Sequence, residues 1–346
     1  MGTTKKTQRL TNHAVILICV QLHTTQAQMS ALAASVQTNV LAPLPELGVV
    51  CVSGADAVPF LQSQLTNDVS RLAVGKVQLS GYCTPKGRLL ATFHQWRTDE
   101  GVFMRMPREI IGSVVKRLSM FVLRAKAKVT DVSDAWATYA FIGDGTDVLH
   151  DAGLAAPDAP WASTNAGTVR IDRMLPTPDG VARYLLTSPQ GSKLPLPEDV
   201  ARGSSSRWWL SEIDSAIPTV FAATQEMFVP QMINLEVLGA VDFKKGCYPG
   251  QEVVARSQYL GKLRRRMNIA DVDATDVVPA ADIYHSAAAQ PVGTVVMAAE
   301  SSSAGVALLF EAPVDRLESG SLHLQSPEGP RLRVRPLPYV LFDPTE

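Results

Sequence analysis

The segment VDFKKGCYPGQEVVARSQYLGKLRRRM, residues 241–267, sets a lone cysteine between a lysine pair and a Pro-Gly turn. Val241 to Lys245 read as the end of a strand. Gly246 supplies backbone freedom for a sharp turn. Pro249 suits the first position of a helix, where a missing N–H costs nothing. The helix then runs from Gly250 to Leu260, with Val253, Val254, Ser257 and Leu260 as its inner face. Glu252 falls in the first turn, where the helix dipole favours an acid, and Gly261 is a natural C-terminal cap. This places Cys247 at the N-terminal mouth of a helix. Free N–H groups there, with Lys244 and Lys245, would stabilise a thiolate and lower its pKa from ~8.5 toward ~7 or below. The alternative use of such a residue is as a small buried filler. No histidine pairs visibly with Cys247, so a Cys-His hydrolase has no support in the sequence.

Lys262, Arg264, Arg265 and Arg266 follow as a basic run, with Arg256 one turn upstream. The run reads either as a solvated face or as an anion clamp for phosphate, RNA backbone or a polycarboxylate tail. Trp208 and Trp209 are adjacent, and in a helix they diverge by about 100°. One could pack inward while the other lines a cleft suited to a flat heterocycle.

Upstream, LGVVCVSGADAVPFLQSQLTNDV (residues 47–69) reads as a half-buried strand broken at Gly54 and a helix capped by Asp56. The runs around Thr84-Pro85-Lys86-Gly87 form a β-hairpin with a type I turn. GVFMRMP is a strand. The amphipathic helix that follows places Ile110, Val114, Leu118 and Phe121 on one face. KAKVTDVS returns as a strand. Residues 131–204 are rich in Ala, Pro, Asp and Gly and form a smaller α+β unit. From residue 267 onward, short strands at regular spacing suggest a small barrel or sandwich. The expected organisation is a poorly ordered leader (1–43), a core (44–130 with 205–266), an inserted α+β domain (131–204) and a C-terminal β-barrel (267–346). Strands and helices mix without βαβ alternation, so the fold class is α+β.

The chain of 346 residues has 46% hydrophobic residues, ample for real cores, and a net charge of −1, which argues against whole-chain capture of nucleic acid or anionic membrane and leaves only a local basic patch for it. Cys19, Cys51, Cys83 and Cys247 show no C-x-x-C spacing, so no zinc site or internally ligated cluster is expected. Their sparseness fits a reducing, cytoplasmic setting. Cys51 and Cys83 read as filler, and Cys19 falls in the leader. KKTQR, AVILICV and ALAAS near the start loosely resemble a signal peptide; a leader or an upstream start codon is the plainer reading. Dinucleotide, Walker, zincin and nucleophile-elbow motifs are absent.

FKKGCYPGQEVVAR resembles the K-G-C-Y-x-G-Q-E motif of the YgfZ family of folate-binding, iron–sulfur-related proteins. FLQSQLTNDV, GYCTPKGRLL, FVPQMINLEVLGAVDFKKG and YLGKLRRR resemble further family segments in the family order. The family is similar in fold to the T-protein of the glycine cleavage system, a tetrahydrofolate-dependent aminomethyltransferase. The resemblance implies a three-domain ring around a folate-sized channel, with a ferredoxin-like core and a C-terminal β-barrel. It implies tetrahydrofolate or a derivative as ligand, and a role in assembling or repairing iron–sulfur clusters of client enzymes, including those that thiolate tRNA. Cys247 matches the family's functional thiol, for redox exchange, transient cluster ligation or one-carbon capture. Lys245 would tune it, Gln251 and Glu252 would fix the turn or reach the ligand, and Gly246, Tyr248 and Gly250 complete the motif. Trp208 matches a family tryptophan in the channel; Leu47 stands where the family has an aromatic; Tyr82 and Arg256 are the other candidate folate contacts. The implied partners are folate and iron–sulfur client enzymes or cluster carriers, with neither membrane nor direct nucleic-acid binding. One departure weighs against transferase chemistry. Ala91 and Thr92 stand where the transferase carries an acidic pair, and neither can exchange a proton on a folate nitrogen. A transferase would need another carboxylate, for which Asp68 and Asp242 are candidates. An RNA-interaction module would use Arg264, Arg265 and Arg266.

Overall fold

The computed structural model describes residues 39–259, 263–301 and 305–341. They make a mixed α+β fold of three sheets. Strand β1 (Val40–Pro43) already belongs to a sheet, which corrects the expected end of the leader at residue 43: Leu41 and Ala42 are buried and hydrogen-bonded on both sides.

The first sheet is antiparallel and holds β2 (Leu47–Ser53), β3 (Val77–Cys83), β4 (Leu89–Thr98), β5 (Gly101–Pro107) and β6 (Lys128–Asp131), in the order β3-β4-β5-β2-β6. Helix α1 (Ala57–Gln62) follows β2, and α2 (Arg108–Val122) follows β5. This is a ferredoxin-like arrangement with β3 added at one edge. Both helices cover the same face, on which Val50, Val52, Ala91, Phe93 and Met104 meet Phe60, Leu61, Ile110, Val114 and Leu118. The expected helix face is corrected at one position: Phe121 is 40% exposed, and Ile111 packs inward instead. The hairpin forms as expected, with the Gly87 N–H donating to the Thr84 carbonyl at 2.9 Å. Alternation along β4 sends Thr92, His94 and Trp96 to the opposite face.

The second sheet has the order β11-β1-β7-β10-β9-β8, with β7 (Trp136–Ile142), β8 (Ser163–Ala166), β9 (Val169–Arg173), β10 (Arg183–Pro189) and β11 (Ala201–Arg202). It meets the uncovered face of the first sheet through a buried ion pair, Arg105–Asp172 at 2.8 Å. Helix α3 (Thr146–Asp151) lies beside it in sequence, and α4 (Ser206–Asp214) follows it. Sequence periodicity missed β8 and β11, which are short.

The third sheet is antiparallel and holds β12 (Arg265–Val272), β13 (Asp282–His285), β14 (Gly293–Glu300), β15 (Val306–Pro313), β16 (Leu322–Leu324) and β17 (Leu332–Arg335). Its order is β16-β13-β14-β15-β12-β17, and a single bridge, His323 to Arg331, draws its two ends together. The sheet is thus barrel-like and nearly closed. Its inside is filled by Val272, Ile283, Val295, Leu308 and Phe310. Met267, Ile269, Met297 and Leu309 face the other way and join Ile213 of α4 in a shared core. Among the described residues no helix is long and apolar enough to cross a membrane.

Candidate functional site

The expected site residues fall in two places. The first is the cysteine loop. Cys247 is exposed, while Cys51 and Cys83 are buried. Burial pushes the Cys83 thiol up to about 12, which leaves it an inert neutral filler. The helix after the loop, α5, spans Gln251–Tyr259. It therefore begins four residues beyond Cys247, and Pro249 lies in the preceding turn rather than at the first helical position. Val254 alone is buried on this helix; Val253 is 39% exposed. The expected Leu260 contact and Gly261 cap lie outside the described residues.

Two distant segments, residues 62–67 and the turn at 84–87, hold the loop in place through three sets of contacts. The Thr66 hydroxyl donates to the Ala240 carbonyl at 2.7 Å, the Asp242 N–H to the Thr66 carbonyl at 3.0 Å, and the Asn67 amide to the Gly239 carbonyl at 2.8 Å. Lys245 reaches back to the same segment. Its ammonium donates to the carbonyls of Gln62, at 2.6 Å, and Leu65, and lies 5.1 Å from the centre of the Tyr248 ring. The third contact is between glycines. Gly250 has φ +84°, and a side chain there would stand 2.4 Å from the Thr84 carbonyl oxygen and 2.6 Å from Gly87 Cα. Gly87 has φ +72°, and a Cβ on it would meet Val253 at 3.0 Å. The hairpin turn and the cysteine loop interlock because both lack side chains at their closest approach. Gly246 was expected to provide this freedom; it has no positive φ and open space around it. Glu252 and Arg256 are exposed on α5, and Gln251 is half-buried.

Lys245 also gives the loop a pH dependence. Burial pulls its pKa from 10.5 down to about 8, against the opposing pull of Asp68 and Asp242. Between those values the unfolded chain holds the proton and the folded chain does not. Stability therefore rises with pH across that window, by up to about 1.4 kcal/mol per unit. The expected result is that the stability gap between wild type and Lys245→Met moves in favour of wild type from pH 8 to pH 10.5. Urea unfolding at a pH series measures it, and a pH-independent gap refutes the burial assignment.

The second place is a cavity between the uncovered face of the first sheet and α4. Leu47, Thr92, His94, Arg105, Trp208, Trp209 and Glu212 contribute to its lining, and about 20 Å³ of it is free. Trp208 is buried, with the Arg183 guanidinium 5.2 Å from its ring centre. Trp209 is half-buried, donates from Nε1 to Glu46 at 2.6 Å and meets Phe221 edge-on. Both indoles line the cavity, where one was expected to turn away. Trp208 and Leu47 are thus brought together. Tyr82 is not: it lies on the helix-covered face among Leu61, Leu65 and Val114. Ala91 is on that face too. Thr92 faces the cavity, where its hydroxyl oxygen accepts from the Val220 N–H at 3.0 Å. Asp68 bonds the Ser70 hydroxyl and the Arg71 N–H, Asp242 bonds the Lys244 N–H, and neither contributes to the lining described.

Sequence reasoning missed Glu212, His94 and Arg105. Glu212 is 1% exposed and pairs with buried Arg183 at 2.7 Å. Burial raises its carboxyl pKa and Arg183 pulls it back. Its spacing of four from Trp208 marked the inner face of α4. Arg105 in GVFMRMP was the available signal on β5: a charge at an alternating strand position. The basic run, by contrast, is largely dismantled. Arg265 pairs with Glu311, at 2.7 Å through Nη2, and Arg266 pairs with Glu236. Lys262 lies outside the described residues. No described group of three or more His, Cys, Asp or Glu residues could hold a metal ion.

A ferredoxin-like sheet, a second sheet joined to it by buried charge and a nearly closed barrel define a T-protein-like fold. Residues 24–170 match the family described as GCVT N-terminal domain. The crystal structure of the glycine cleavage system aminomethyltransferase T from Bartonella henselae superposes with a TM-score of 0.69, at 17% identity, over 88% of this chain and 86% of that one. The particular kinship is with curated proteins named tRNA-modifying protein YgfZ. The one from Colwellia psychrerythraea is 29% identical over 70% of this chain and 75% of its own. That from Edwardsiella ictaluri is 29% identical over 83% and 88%, and that from Yersinia pseudotuberculosis 25% identical over 93% and 98%. The expected resemblance to YgfZ proteins is borne out over most of the chain.

Proposed function

We propose that this protein is a folate-binding accessory factor in tRNA modification, acting on iron–sulfur client enzymes through Cys247. The observation that carries the reading is the interlocked loop. Two segments distant in sequence converge to hold the loop that carries one exposed thiol, an investment that a filler residue would not need. A single thiol can supply one ligand to a transient cluster, the rest coming from a client or carrier; it can equally serve redox exchange. The names of the YgfZ relatives support the tRNA-modification role.

The cavity's donor set fits a reduced folate. Two indoles offer flat faces, and Arg105 and His94 carry buried nitrogens without protein partners. The free 20 Å³ is room for about one water, so a pterin enters only as lining side chains move. When bound, tetrahydrofolate would supply a one-carbon carrier. Transferase chemistry is disfavoured: the Thr92 hydroxyl is no proton shuttle, and the carboxylate in the lining, Glu212, is committed to Arg183.

The test is complementation. In a strain lacking the gene, the activity of an iron–sulfur tRNA-thiolating enzyme is compared after restoring wild type or Cys247→Ala at matched abundance. Wild type is expected to rescue and Cys247→Ala to lose at least about tenfold, the scale of removing a functional ligand. Equal rescue sinks the role of the thiol. Trp208→Phe should weaken tetrahydrofolate binding, read by calorimetry, without touching Cys247.

A further inference from the structure

The charge buried between the first two sheets does not balance. Arg105 and Arg170 share one carboxylate, Asp172, at 2.8 and 2.7 Å. The Arg105 and Asp172 side chains are fully buried. Arg105 uses only Nη2 there, donating to Asp172 and to the Thr187 hydroxyl at 2.8 Å each. Its Nε and Nη1 are buried with no acceptor from the protein. His94 stands directly opposite Arg105 across the β4–β5 ladder, and its Nε2 is likewise buried without a partner. Both residues line the cavity. The Trp96 ring lies 5.0 Å from the Arg105 guanidinium and 4.9 Å from that of Arg170, which softens the excess charge without neutralising it. Glu212, across the cavity, is taken by Arg183. A buried cation with spare donors, beside a spare imidazole nitrogen, is a costly arrangement unless a ligand completes it.

We propose that Arg105 and His94 form a binding site for a small monocarboxylate anion. One carboxylate oxygen accepts from the free guanidinium N–H groups, and the other from His94 in its Nε2–H tautomer. Burial, and then the charge of Arg105, push the imidazole pKa down to about 3, so the ring enters the site neutral. About 20 Å³ is room for about one water, so a carboxylate enters only as lining side chains move, and the smallest monocarboxylate, formate, demands the least movement. The site shares the cavity with the folate reading but rests on unbalanced charge and unpartnered donors, not on folate.

The experiment titrates sodium formate into the full-length protein by calorimetry, at ionic strength held constant with chloride. Saturable 1:1 binding is expected, with a rise in the thermal midpoint that tracks formate concentration, and weaker binding of acetate. Arg105→Gln, which keeps a donor for Asp172, and His94→Phe, which keeps a ring beside Trp161, whose ring centre lies 5.9 Å from that of His94, should each weaken formate binding at least tenfold. Circular dichroism checks that both are folded; if Arg105→Gln is not, His94→Phe decides. No saturation by about 100 mM formate, or undiminished binding in the folded variants, overturns the proposal. A parallel titration with tetrahydrofolate separates the readings. Folate binding without formate binding removes the anion site and leaves the folate reading standing. Formate binding without folate binding does the reverse.

Discussion

Glu212→Leu is expected to destabilise the protein by about 3–5 kcal/mol, the cost of stripping the partner from a buried charge. The Arg183 side chain has no solvent exposure. Its Nη1 donates to Glu212 at 2.7 Å and to the Ser211 hydroxyl at 3.1 Å, and its Nε donates to the Leu175 carbonyl at 2.7 Å. Without the carboxylate, the neutral oxygens of Ser211 and Leu175 are left to face the full positive charge. Asp214, the next acid along, exerts only a weaker pull on it. The double variant Arg183→Met/Glu212→Leu should recover most of the loss, because paired charges and apolar residues of similar volume are often equivalent in a core. Urea unfolding of the two single variants and the double variant closes the cycle. A loss below about 1 kcal/mol for Glu212→Leu, or a double variant no better than the sum of the singles, would show that the pair is not coupled as described. The pair also holds Trp208 in place, so the cavity is expected to lose its shape together with its carboxylate.

Gly250→Ala is expected to cost about 2–4 kcal/mol, from left-handed backbone strain and from overpacking. It should also release the cysteine loop. The new methyl would lie 2.4 Å from the Thr84 carbonyl oxygen and 2.6 and 2.7 Å from Gly87 backbone atoms. Those atoms belong to a closed hairpin turn that cannot yield cheaply. The loop must therefore lift away, and with it the anchored position of Cys247. Gly246→Ala provides the contrast within the same motif: nothing lies within 4 Å of its added carbon and its φ is not positive. Its effect should stay within about 0.5 kcal/mol. Denaturant midpoints give the energies, and the rate at which a soluble disulfide reagent modifies Cys247 reports the loop. Similar midpoints for the two variants would mean that the interlock with the hairpin does not hold the loop.

The motif glycines show why part of the site was legible and part was not. K-G-C-Y-P-G-Q-E marked the loop and its cysteine, and the turn chemistry of Thr84–Gly87 marked the hairpin. That the two interlock, and that Gly250 rather than Gly246 carries the constraint, depends on a contact between segments some 160 residues apart in sequence. Lys245 illustrates the same limit. Beside a cysteine it read as a tuner of the thiol, yet its ammonium is spent on the carbonyls of Gln62 and Leu65. Local sequence cannot say where a long, flexible side chain finds its partner. The basic run read as a clamp because Glu311 and Glu236 are invisible from Arg265 and Arg266 along the chain.

By itself, the sequence determined the fold class, the hairpin, most strands of the three sheets, the barrel-like C-terminal part and the exposed thiol's neighbourhood. These follow from periodicity, turn residues and one long motif, all of which act over short distances. Only the tertiary structure decided which side chains share the cavity. Strand alternation put Thr92, His94 and Arg105 on the cavity side and Tyr82 and Ala91 on the other. Packing α4 against that face then brought in Trp208 and Glu212. A cavity is a property of surfaces that meet, and the balance of charge inside it is set by neighbours that the chain order does not reveal.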